Sequence, residues 1–379
     1  MTEQNVFSKG LEDVVAAESS ICWIDGKNSK LLYRGYDIHD LAQNSNFEET
    51  TYLLLFGELP KASELEDFKK KLAAEREIPR AVIDWLKLAP KGANPMAVFR
   101  TAVSYLALFD PEVEDNSIEA NGRKALRLIA KLPLVVACFE RIRKGQEVIA
   151  PKKEASVSTA ANFLYMMKGK DVSAVEVRTL DQYFILLTEH DLNASTLAGR
   201  ITVSTLSDIY SAMVSAIATL KGDLHGSANT RTMESLIAIG DVKNVEKFVD
   251  DAVQQKKKLM GFGHRIYKGP DPRAFDLKRM SKALADAFPG HAKWYAISEK
   301  LEQVVWEKKK LNCNVDFYSA SVLYAIGIPI DLFTLMFAIS RTAGWTAHFL
   351  EQYRDNRLIR PVSQYTGESQ RPYLPIGKR

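Results

Sequence analysis

The stretch Gly261-Phe-Gly-His-Arg-Ile-Tyr-Lys-Gly-Pro-Asp-Pro-Arg273 is the most informative part of the chain. Its first two glycines, Gly261 and Gly263, allow a tight turn and a close approach of the backbone to a ligand. His264 follows this turn at once, and two prolines stiffen the segment that leads to Arg273. The pattern therefore predicts a loop that presents a histidine and an arginine to a small ligand.

The residues around this loop are strongly basic. Between Lys256 and Arg279, eight Lys or Arg residues stand against Asp271 and Asp276, whereas the whole chain of 379 residues has a formal net charge of +4. A local surplus of this kind predicts the binding of a small polyanion. A G-x-G-H sequence also occurs in ordinary turns, and a run of charges can be a solvated helix face, so the loop alone does not establish a site.

The composition is that of an ordinary globular protein, with 46% hydrophobic and 26% charged residues. The length favours two domains. The segment Met1–Asp13 resembles neither a signal peptide nor a transit peptide, and apolar runs such as 132–139 are too short to cross a bilayer. We expect reduced thiols and a cytoplasmic protein, because the chain has only three, widely separated cysteines: Cys22, Cys138 and Cys313. No basic stripe interleaved with aromatic residues suggests a nucleic-acid partner.

Helical periodicity dominates the chain and predicts an all-α fold of about twelve to sixteen helices. Two apolar faces illustrate the pattern: Trp294, Ile297, Leu301, Val304 and Val305 form one, and Val242, Val245, Val249 and Val253 form the other. Ser63-x-x-Glu66 and Ser173-x-x-Glu176 have the form of capping boxes that open helices. Pro95 is expected to begin a helix that continues to Phe109. The exception is Ser20–Arg34, where two apolar runs flank the hairpin-like turn Asp25-Gly-Lys-Asn28.

Glycine-bearing turns at 221–227 and 327–329 mark the expected domain boundaries. We interpret the residues between them as a small domain, 226–321, inserted into a large domain made of 1–225 and 322–379. The last stretch, Glu351–Arg379, is polar and contains prolines, so we expect it to wrap around another surface rather than to form a core helix.

Six blocks occur in a fixed order, one of which contains the glycine-rich loop, and together they resemble the citrate synthase family, which includes the 2-methylcitrate synthases. The blocks are Glu189-His-Asp-Leu-Asn-Ala-Ser-Thr196, Leu224-His-Gly-Ser-Ala-Asn229, Met260–Ala274, Asn314-Val-Asp-Phe-Tyr-Ser319, Ser340–His348 and Arg360-Pro361. The length fits the short, dimeric, prokaryotic form of the enzyme. The resemblance implies a large helical domain with an inserted small helical domain, and an active site in the cleft that closes when oxaloacetate binds.

The chemistry of this family needs a base and a hydrogen-bond donor beside a thioester, because the methyl proton is removed as an enolate develops. Asp316 suits the base, since its apolar neighbours should raise the pKa of its carboxyl group. By resemblance, His225 is the donor to the thioester carbonyl. His264 resembles the residue that polarises the ketone of oxaloacetate and protonates its oxygen.

The resemblance also implies the binding residues. Oxaloacetate carries two carboxylates, which guanidinium groups can clamp in a bidentate manner; the matching positions are Arg273, Arg341 and Arg360, with His190 adding a hydrogen bond. Arg360 would come from the partner subunit of a homodimer. The matching positions for coenzyme A, a cosubstrate rather than a tightly bound cofactor, are Gln255, Lys256, Lys257, Lys258, Leu259, Met260, Gly261 and Lys268. No metal is expected.

Several alternatives remain open from the sequence. His190 could be a capping or core histidine, and Asp316 could cap a helix over Phe317–Ala325. Lys256–Lys258 could be a solvated helix end. A metal site built from His190, His225, His264 and Asp316 lacks any local ligand spacing such as H-E-x-x-H.

The acyl substrate is also left open. Acetyl-CoA and propionyl-CoA differ by one methylene, which is worth about 1–3 kcal/mol of discrimination in an apolar pocket. The alternatives are therefore an enzyme that accepts both, a strict 2-methylcitrate synthase and, more remotely, a non-catalytic CoA-binding module.

Overall fold

The computed structural model describes residues 7–226 and 228–379, and within them it contains sixteen α-helices and one small sheet. The expectation of an all-α fold is confirmed. The segment Met1–Asp13, which is not expected to be a leader, lies partly outside the described residues. Ser227, at the start of the predicted small domain, also lies outside them.

The strands and helices follow one another in chain order. They are β1 Cys22–Asp25, β2 Lys30–Tyr33, β3 Tyr36–Asp37, α1 Ile38–Asn44, α2 Phe47–Phe56, α3 Ala62–Ala74, α4 Arg80–Leu88, α5 Pro95–Ala107, α6 Ile118–Arg143, α7 Thr159–Lys168, α8 Ala174–Leu187, α9 Ala194–Ser204, α10 Ile209–Leu220, α11 Ala228–Ile239, α12 Val245–Gln254, α13 Pro272–Ala287, α14 Ala292–Lys309, α15 Val315–Ala325 and α16 Phe333–Arg354.

The sheet contains the hairpin that the sequence predicts. Strands β1 and β2 pair antiparallel, with Cys22 opposite Tyr33 and Asp25 opposite Lys30. The carboxylate of Asp25 accepts hydrogen bonds from the backbone N–H groups of Lys27 and Asn28, both at 3.0 Å, and so fixes the turn. Strand β3 pairs with β2 and was not predicted, because two residues are too few to display an alternating pattern.

Two of the three predicted helix starts are confirmed. Ser173 caps α8, and its hydroxyl and the carboxylate of Glu176 form the reciprocal hydrogen bonds of a capping box. Helix α5 begins at Pro95, where the missing N–H costs nothing, and it ends at Ala107, two residues before the expected Phe109.

The capping box predicted at Ser63 is wrong. Helix α3 begins at Ala62 with Lys61 in the N-cap position, two residues before the predicted cap, and Glu64 accepts a hydrogen bond from the N–H of Lys61 at 2.7 Å. Glu66 instead lies on the exposed face of the helix, where it pairs with Lys70. The sequence pattern misplaces the cap by two residues, because a second acidic residue, Glu66, also occurs at capping-box spacing from a serine.

The predicted apolar faces are only partly buried. All five residues of the α14 face are buried, but Val242 and Val253 at the two ends of the other face are 37% and 38% exposed. The polar C-terminal stretch also begins later than expected. Helix α16 continues to Arg354 with Gln352 buried, and the exposed segment follows it.

Helix α16 is the centre of the core. Almost all its side chains are buried, and it contacts α2, α5, α6, α8, α9 and α10. Helices α11 to α15 pack mainly on one another and contact the rest of the protein through α1, α8 and α16. This pattern supports the two-domain interpretation, whose boundaries stay a prediction. None of the described helices combines the length and apolar composition needed to cross a membrane.

Candidate active site

The glycine-rich loop has the geometry that its sequence predicts. Gly261 and Gly263 have φ angles of +83° and +78°, in the left-handed region that favours glycine. The loop is tied to the segment before α15, because the N–H of Gly263 donates to the carbonyl of Asn312 at 2.8 Å and the N–H of Asn314 donates to that of Gly261 at 2.9 Å. His264 and the start of α15 are thereby held together.

The imidazole of His264 is oriented by its own loop. The backbone N–H groups of Ile266 and Tyr267 donate to its Nδ1 at 3.0 and 3.2 Å. A backbone N–H can only donate, so Nδ1 carries a lone pair and the proton of the neutral ring lies on Nε2. Burial and the nearby positive charge of Arg273 lower the pKa of His264 to about 4. At neutral pH this side chain is a neutral donor through Nε2.

His190 lies beside His264 just after α8. Their ring centroids are 5.3 Å apart, and Nε2 of His190 is 3.2 Å from the hydroxyl of Tyr267. Burial, with Arg273 nearby, holds the pKa of His190 well below its ordinary value, so the ring is neutral. His190 is buried, but it contacts a predicted site residue rather than serving as a helix cap.

The imidazole of His225 is held by the N-terminus of α9. Its Nε2 lies 3.3 Å from the backbone nitrogen of Ser195, which donates to it, and 2.8 Å from the hydroxyl oxygen of the same serine. That hydroxyl also accepts a hydrogen bond from the indole of Trp345 at 3.2 Å. With a lone pair on Nε2, the neutral ring carries its proton on Nδ1. Burial lowers the pKa of His225 to about 4.

Asp316 lies in the first turn of α15 but does not cap it. The cap is Asn314, whose side chain accepts a hydrogen bond from the N–H of Asp316 at 3.0 Å. The capping alternative is therefore wrong, and among the described residues no protein group donates a hydrogen bond to the Asp316 carboxylate. Burial raises the pKa of this carboxyl to about 7, although Arg273 and Arg341 oppose the shift. This is the range expected of a general base at neutral pH.

Arg273 is held in place by Asp271, the N-cap residue of its own helix α13. Its Nε and Nη2 donate to the two carboxylate oxygens of Asp271 at 3.0 and 2.8 Å, and both side chains are almost fully buried. Asp271 also accepts the N–H of Val315 at 3.1 Å, which connects α13 to the base of α15. The Nη1 group of Arg273 has no acceptor among the described residues.

Arg341 lies in the buried middle of α16. Its Nε donates to the carbonyl of Leu187 at 2.7 Å, while its Nη2 is buried and has no hydrogen-bond partner within the described part of the chain. A buried guanidinium with an open donor is costly unless an acceptor arrives. The side chain is thus suited to accept an anion that comes close to α8 and α16.

The structure does not bring Arg360 to this cluster within one chain. The residue lies in the exposed segment after α16, and it forms no hydrogen bond or ion pair with any described residue. A role for Arg360 in this cluster therefore stays a prediction.

The predicted CoA segment surrounds a separate cavity of about 350 Å³ between α11, α12 and the loop that follows α12. Its lining includes Gln255, Lys257, Lys258, Leu259 and Met260. Lys256 and Lys268 are exposed and do not line this cavity, and the buried Gly261 faces Phe317 and Thr232. The three lysines follow the end of α12 rather than forming part of the helix.

Four residues that contact the predicted site residues were not themselves predicted, although they lie inside the matched blocks. Ser195 and Trp345 hold His225, Tyr267 contacts His190, and Asp271 holds Arg273. In the sequence, only their position indicates a role, because each lies in a block that also contains a predicted site residue. The sequence gives no means of pairing side chains that are far apart in the chain.

Cavities also occur away from the predicted site residues. A larger cavity of about 770 Å³, lined by residues of α4, α6 and the 146–153 segment, includes none of the predicted site residues. Among residues 7–226 and 228–379, no group of three or more His, Cys, Asp or Glu side chains is placed to hold a metal ion.

Comparison with known proteins gives a consistent result. The family model "Citrate synthase, C-terminal domain" matches residues 10–362. Citrate synthase 2 of Bacillus subtilis is 48% identical over 98% of this chain and 99% of its own length, and 2-methylcitrate synthase 1 of Corynebacterium glutamicum is 38% identical over 98% of each.

A solved structure agrees with these relatives. The citrate synthase of Thermoplasma acidophilum, described as a ternary complex with carboxymethyl coenzyme A and oxaloacetate, superposes with a TM-score of 0.92 at 35% identity, covering 99% of this chain and 100% of that one. The chain belongs to the citrate synthase family.

Proposed function

We propose that the protein condenses acetyl-CoA with oxaloacetate and water to give citrate and free CoA. The observation that carries the proposal is the Asp316 carboxylate, which accepts no hydrogen bond from a protein group among the described residues and has a raised pKa of about 7. Arg273 is a charged neighbour of both Asp316 and His264, and Arg341 is one of both Asp316 and His225, and the two neutral histidines have opposite tautomers. The chain's membership of the citrate synthase family supports the same reaction.

Oxaloacetate would bind where the open donors converge. Nη2 of Arg341 and Nη1 of Arg273 lack acceptors among the described residues, and the two carboxylates of the dianion would supply them. His190 adds a neutral donor or acceptor beside His264. Arg273 keeps its ion pair with Asp271, which fixes the guanidinium before the substrate arrives.

The first chemical step is enolisation of the acyl group. Asp316 removes a proton from the methyl carbon next to the thioester, and negative charge moves onto the thioester oxygen. The Nδ1–H of His225 donates a hydrogen bond to that oxygen. A neutral imidazole can do so because burial keeps it unprotonated on Nε2, and each group of this kind contributes about 10²–10⁴ in rate.

The second step forms the carbon–carbon bond. The enolate carbon attacks the ketone carbon of oxaloacetate, and the ketone oxygen gains negative charge as its double bond opens. The Nε2–H of His264 donates a hydrogen bond to this oxygen and transfers its proton to it, which gives the hydroxyl group of the citryl intermediate. The ring regains a proton from the water that attacks the thioester, and the proton that Asp316 took from the methyl carbon goes to the departing CoA thiolate. Water then hydrolyses the thioester of the citryl intermediate and releases CoA, which makes the overall reaction effectively irreversible.

Coenzyme A would lie against the segment after α12. Leu259 and Met260 line an apolar wall of the adjoining cavity, and Lys257 and Lys258 lie at its edge. The exposed Lys256 and Lys268 are within the same basic segment and could neutralise phosphate groups outside the cavity. The backbone of Gly261 would lie close to the bound coenzyme A.

The active unit is a homodimer in this proposal. Arg360 lies in an exposed segment and forms no hydrogen bond or ion pair with a described residue, and Arg360 of the partner subunit would complete the clamp on oxaloacetate. The large and small domains, 1–225 with 322–379 and 226–321, would close over the bound dianion and exclude water.

Propionyl-CoA is a second substrate that the relatives favour. Two 2-methylcitrate synthases of Corynebacterium glutamicum are 38% and 40% identical to the chain, within the range of several citrate synthases. One methylene changes binding by about 1–3 kcal/mol, so we expect turnover of both acyl-CoAs with acetyl-CoA at least comparable. A strict 2-methylcitrate synthase is not favoured, because B. subtilis citrate synthase 2 is 48% identical.

The test is thiol release from acetyl-CoA and propionyl-CoA, each with and without oxaloacetate, with the products identified by mass spectrometry. We expect release that requires oxaloacetate and yields citrate or 2-methylcitrate. His225→Ala should abolish it, whereas His291→Ala, a control outside the site, should not. Release from neither substrate would leave a CoA-binding module as the better interpretation.

A further inference from the structure

The turn between β1 and β2 touches the loop that carries His264. The carbonyl of Gly26 accepts a hydrogen bond from the backbone N–H of Lys268 at 2.9 Å. These residues are more than two hundred positions apart in the chain. The sheet and the glycine-rich loop are therefore in direct backbone contact.

Gly26 is required at this contact for reasons of space. A Cβ atom built on Gly26 would lie 2.4 Å from the carbonyl oxygen of Ile266 and 3.0 Å from its carbonyl carbon. Backbone atoms cannot rotate away as a flexible side chain can, so any side chain at this position must displace the loop or the turn. The φ of Gly26 is not positive, so conformational freedom is not the reason for glycine here.

The loop residues at this contact are the ones that orient the imidazole. The N–H groups of Ile266 and Tyr267 donate to Nδ1 of His264, and the hydroxyl of Tyr267 lies 3.2 Å from Nε2 of His190. Displacing Ile266 would therefore move the donors that fix the His264 tautomer. It would also move the tyrosine that contacts the second histidine.

The turn is itself rigid and anchored near the site. Asp25 accepts the N–H groups of Lys27 and Asn28, and its other oxygen accepts the side-chain amide of Asn28 at 2.6 Å. The fully buried Tyr33 of β2 donates from its hydroxyl to the carbonyl of Glu189 at 2.8 Å, next to His190. The hairpin thus fixes the position of the turn relative to His190. The turn also packs against the loop that carries His264.

We propose that the β1–β2 turn clamps the His264 loop, and that Gly26 and Asp25 are positioning residues for the condensation. They act through Ile266, Tyr267 and Lys268 and touch no substrate. The proposal rests on the proposed function for its effect on catalysis. Its structural part, the control of the His264 tautomer, is independent of which reaction the site performs.

The primary test compares Gly26→Ala with Gly92→Ala. Gly92 is an ordinary-φ glycine in an exposed loop with no atom within 4 Å of a built Cβ, so it is a matched control. We expect Gly26→Ala to lower kcat/KM for oxaloacetate about a hundredfold, as a displacement of about 1 Å can do. The oxaloacetate dissociation constant measured by calorimetry should rise, and Gly92→Ala should match the wild type in both.

A spectroscopic measurement separates positioning from a loss of folding. The ¹⁵N NMR spectrum of the His264 ring in the wild type should show a neutral imidazole protonated on Nε2 at neutral pH. In Gly26→Ala we expect a mixture of tautomers and a pKa closer to the ordinary histidine value. A spectrum identical to that of the wild type, together with unchanged kinetics, would overturn the proposal.

A second variant covers the case in which Gly26→Ala does not fold. Asp25→Ala removes three hydrogen bonds of the turn without adding a clash, so it should shift the His264 tautomer and kcat/KM in the same direction by a smaller factor. An unchanged His264 spectrum in this variant would also count against the clamp. If the wild type itself releases no CoA with oxaloacetate, the proposed function fails, and the NMR comparison still decides on the clamp.

Discussion

At the scale of single residues, the site separates the protonation states of its acid and its two histidines. Burial raises the pKa of Asp316 to about 7 and lowers those of His225 and His264 to about 4. The carboxylate can therefore accept a proton at neutral pH, while both imidazoles remain neutral donors. Their opposite tautomers follow from which ring nitrogen receives a backbone N–H.

The pH dependence of turnover should report the Asp316 carboxyl. Below about pH 7 the group gains a proton and cannot act as a base, so kcat/KM at low concentrations of both substrates should fall tenfold per pH unit and level off above pH 7. The histidines stay neutral across this range. Initial rates between about pH 5 and pH 9 measure the profile. A rate that stays constant down to about pH 5, as the ordinary aspartate value of 3.8 would give, would contradict the assignment.

The same pKa shift has a consequence for stability. An acid whose pKa is raised in the folded state destabilises that state above the folded pKa, and the effect disappears as the pH falls below the unfolded value of 3.8. Asp316→Asn should therefore raise the free energy of unfolding at about pH 8, by a few kcal/mol at most, since one pKa unit corresponds to about 1.4 kcal/mol. Urea unfolding of both proteins checks this, with little difference expected near pH 4. A less stable variant at pH 8 would show that the carboxylate is favourably solvated.

Much of the residue-scale account was predictable. The apolar neighbours of Asp316 correctly indicated a raised pKa, because burial is a property that adjacent residues reveal. The partners of His225 were not predictable, since Ser195 and Trp345 are distant in the chain. The same limit applies to Gly26, whose significance appears only when Ile266 is beside it.

At the scale of elements, α1 and α13 are joined by one titratable pair. Nδ1 of His39 lies 2.5 Å from a carboxylate oxygen of the buried Asp276, whose other oxygen accepts from Arg279 at 3.0 Å. The hydrogen bond to Asp276 raises the pKa of His39, with Asp37 adding to the shift and Arg279 opposing it. The pair connects a helix of the predicted large domain to one of the small domain.

This pair should make stability depend on pH. A raised histidine pKa contributes stability that is fully present below the unfolded value of 6.5 and is lost as the pH rises through the folded value. His39→Gln should therefore lower the free energy of unfolding more at about pH 6 than at about pH 9. Urea titrations at the two values measure the difference, and half exposure of the ring keeps the effect modest. An equal deficit at both pH values would rule out the charged pair.

Element boundaries were predicted unevenly for a physical reason. The Ser173 box and Pro95 identified helix starts because local hydrogen bonding or a missing N–H decides them. The capping box predicted at Ser63 was wrong because two acidic residues, Glu64 and Glu66, lie near the start of the helix and only Glu64 accepts the hydrogen bond at the cap. The short strand β3 depends on pairing with β2, and that contact leaves no pattern in two residues.

At the scale of the whole molecule, the site is incomplete in one chain if Arg360 takes part. Within the described residues this side chain reaches no other group, so a shared site predicts complementation between two inactive subunits. A heterodimer of Asp316→Asn and Arg360→Ala contains one site with neither substitution, and about half of the wild-type activity should return. Purified mixed dimers provide the assay, and no recovery would place Arg360 outside the site.

The fold class and the family were predictable from the sequence, whereas the roles of the site residues stay a prediction. Helical periodicity and the ordered motifs are local features that one chain displays. The division at 225 and 321 depends on how α11 to α15 pack against α8 and α16, which only three-dimensional contacts reveal. Those boundaries stay a prediction.

The central claim is that Asp316 removes the proton from the acyl-CoA while oxaloacetate is held by other residues. The most direct test measures two properties of Asp316→Asn: CoA release with both substrates saturating, and oxaloacetate affinity by calorimetry. The account predicts that turnover falls by about 10²–10⁴ while oxaloacetate affinity is nearly unchanged. Near-normal turnover in this variant would contradict it.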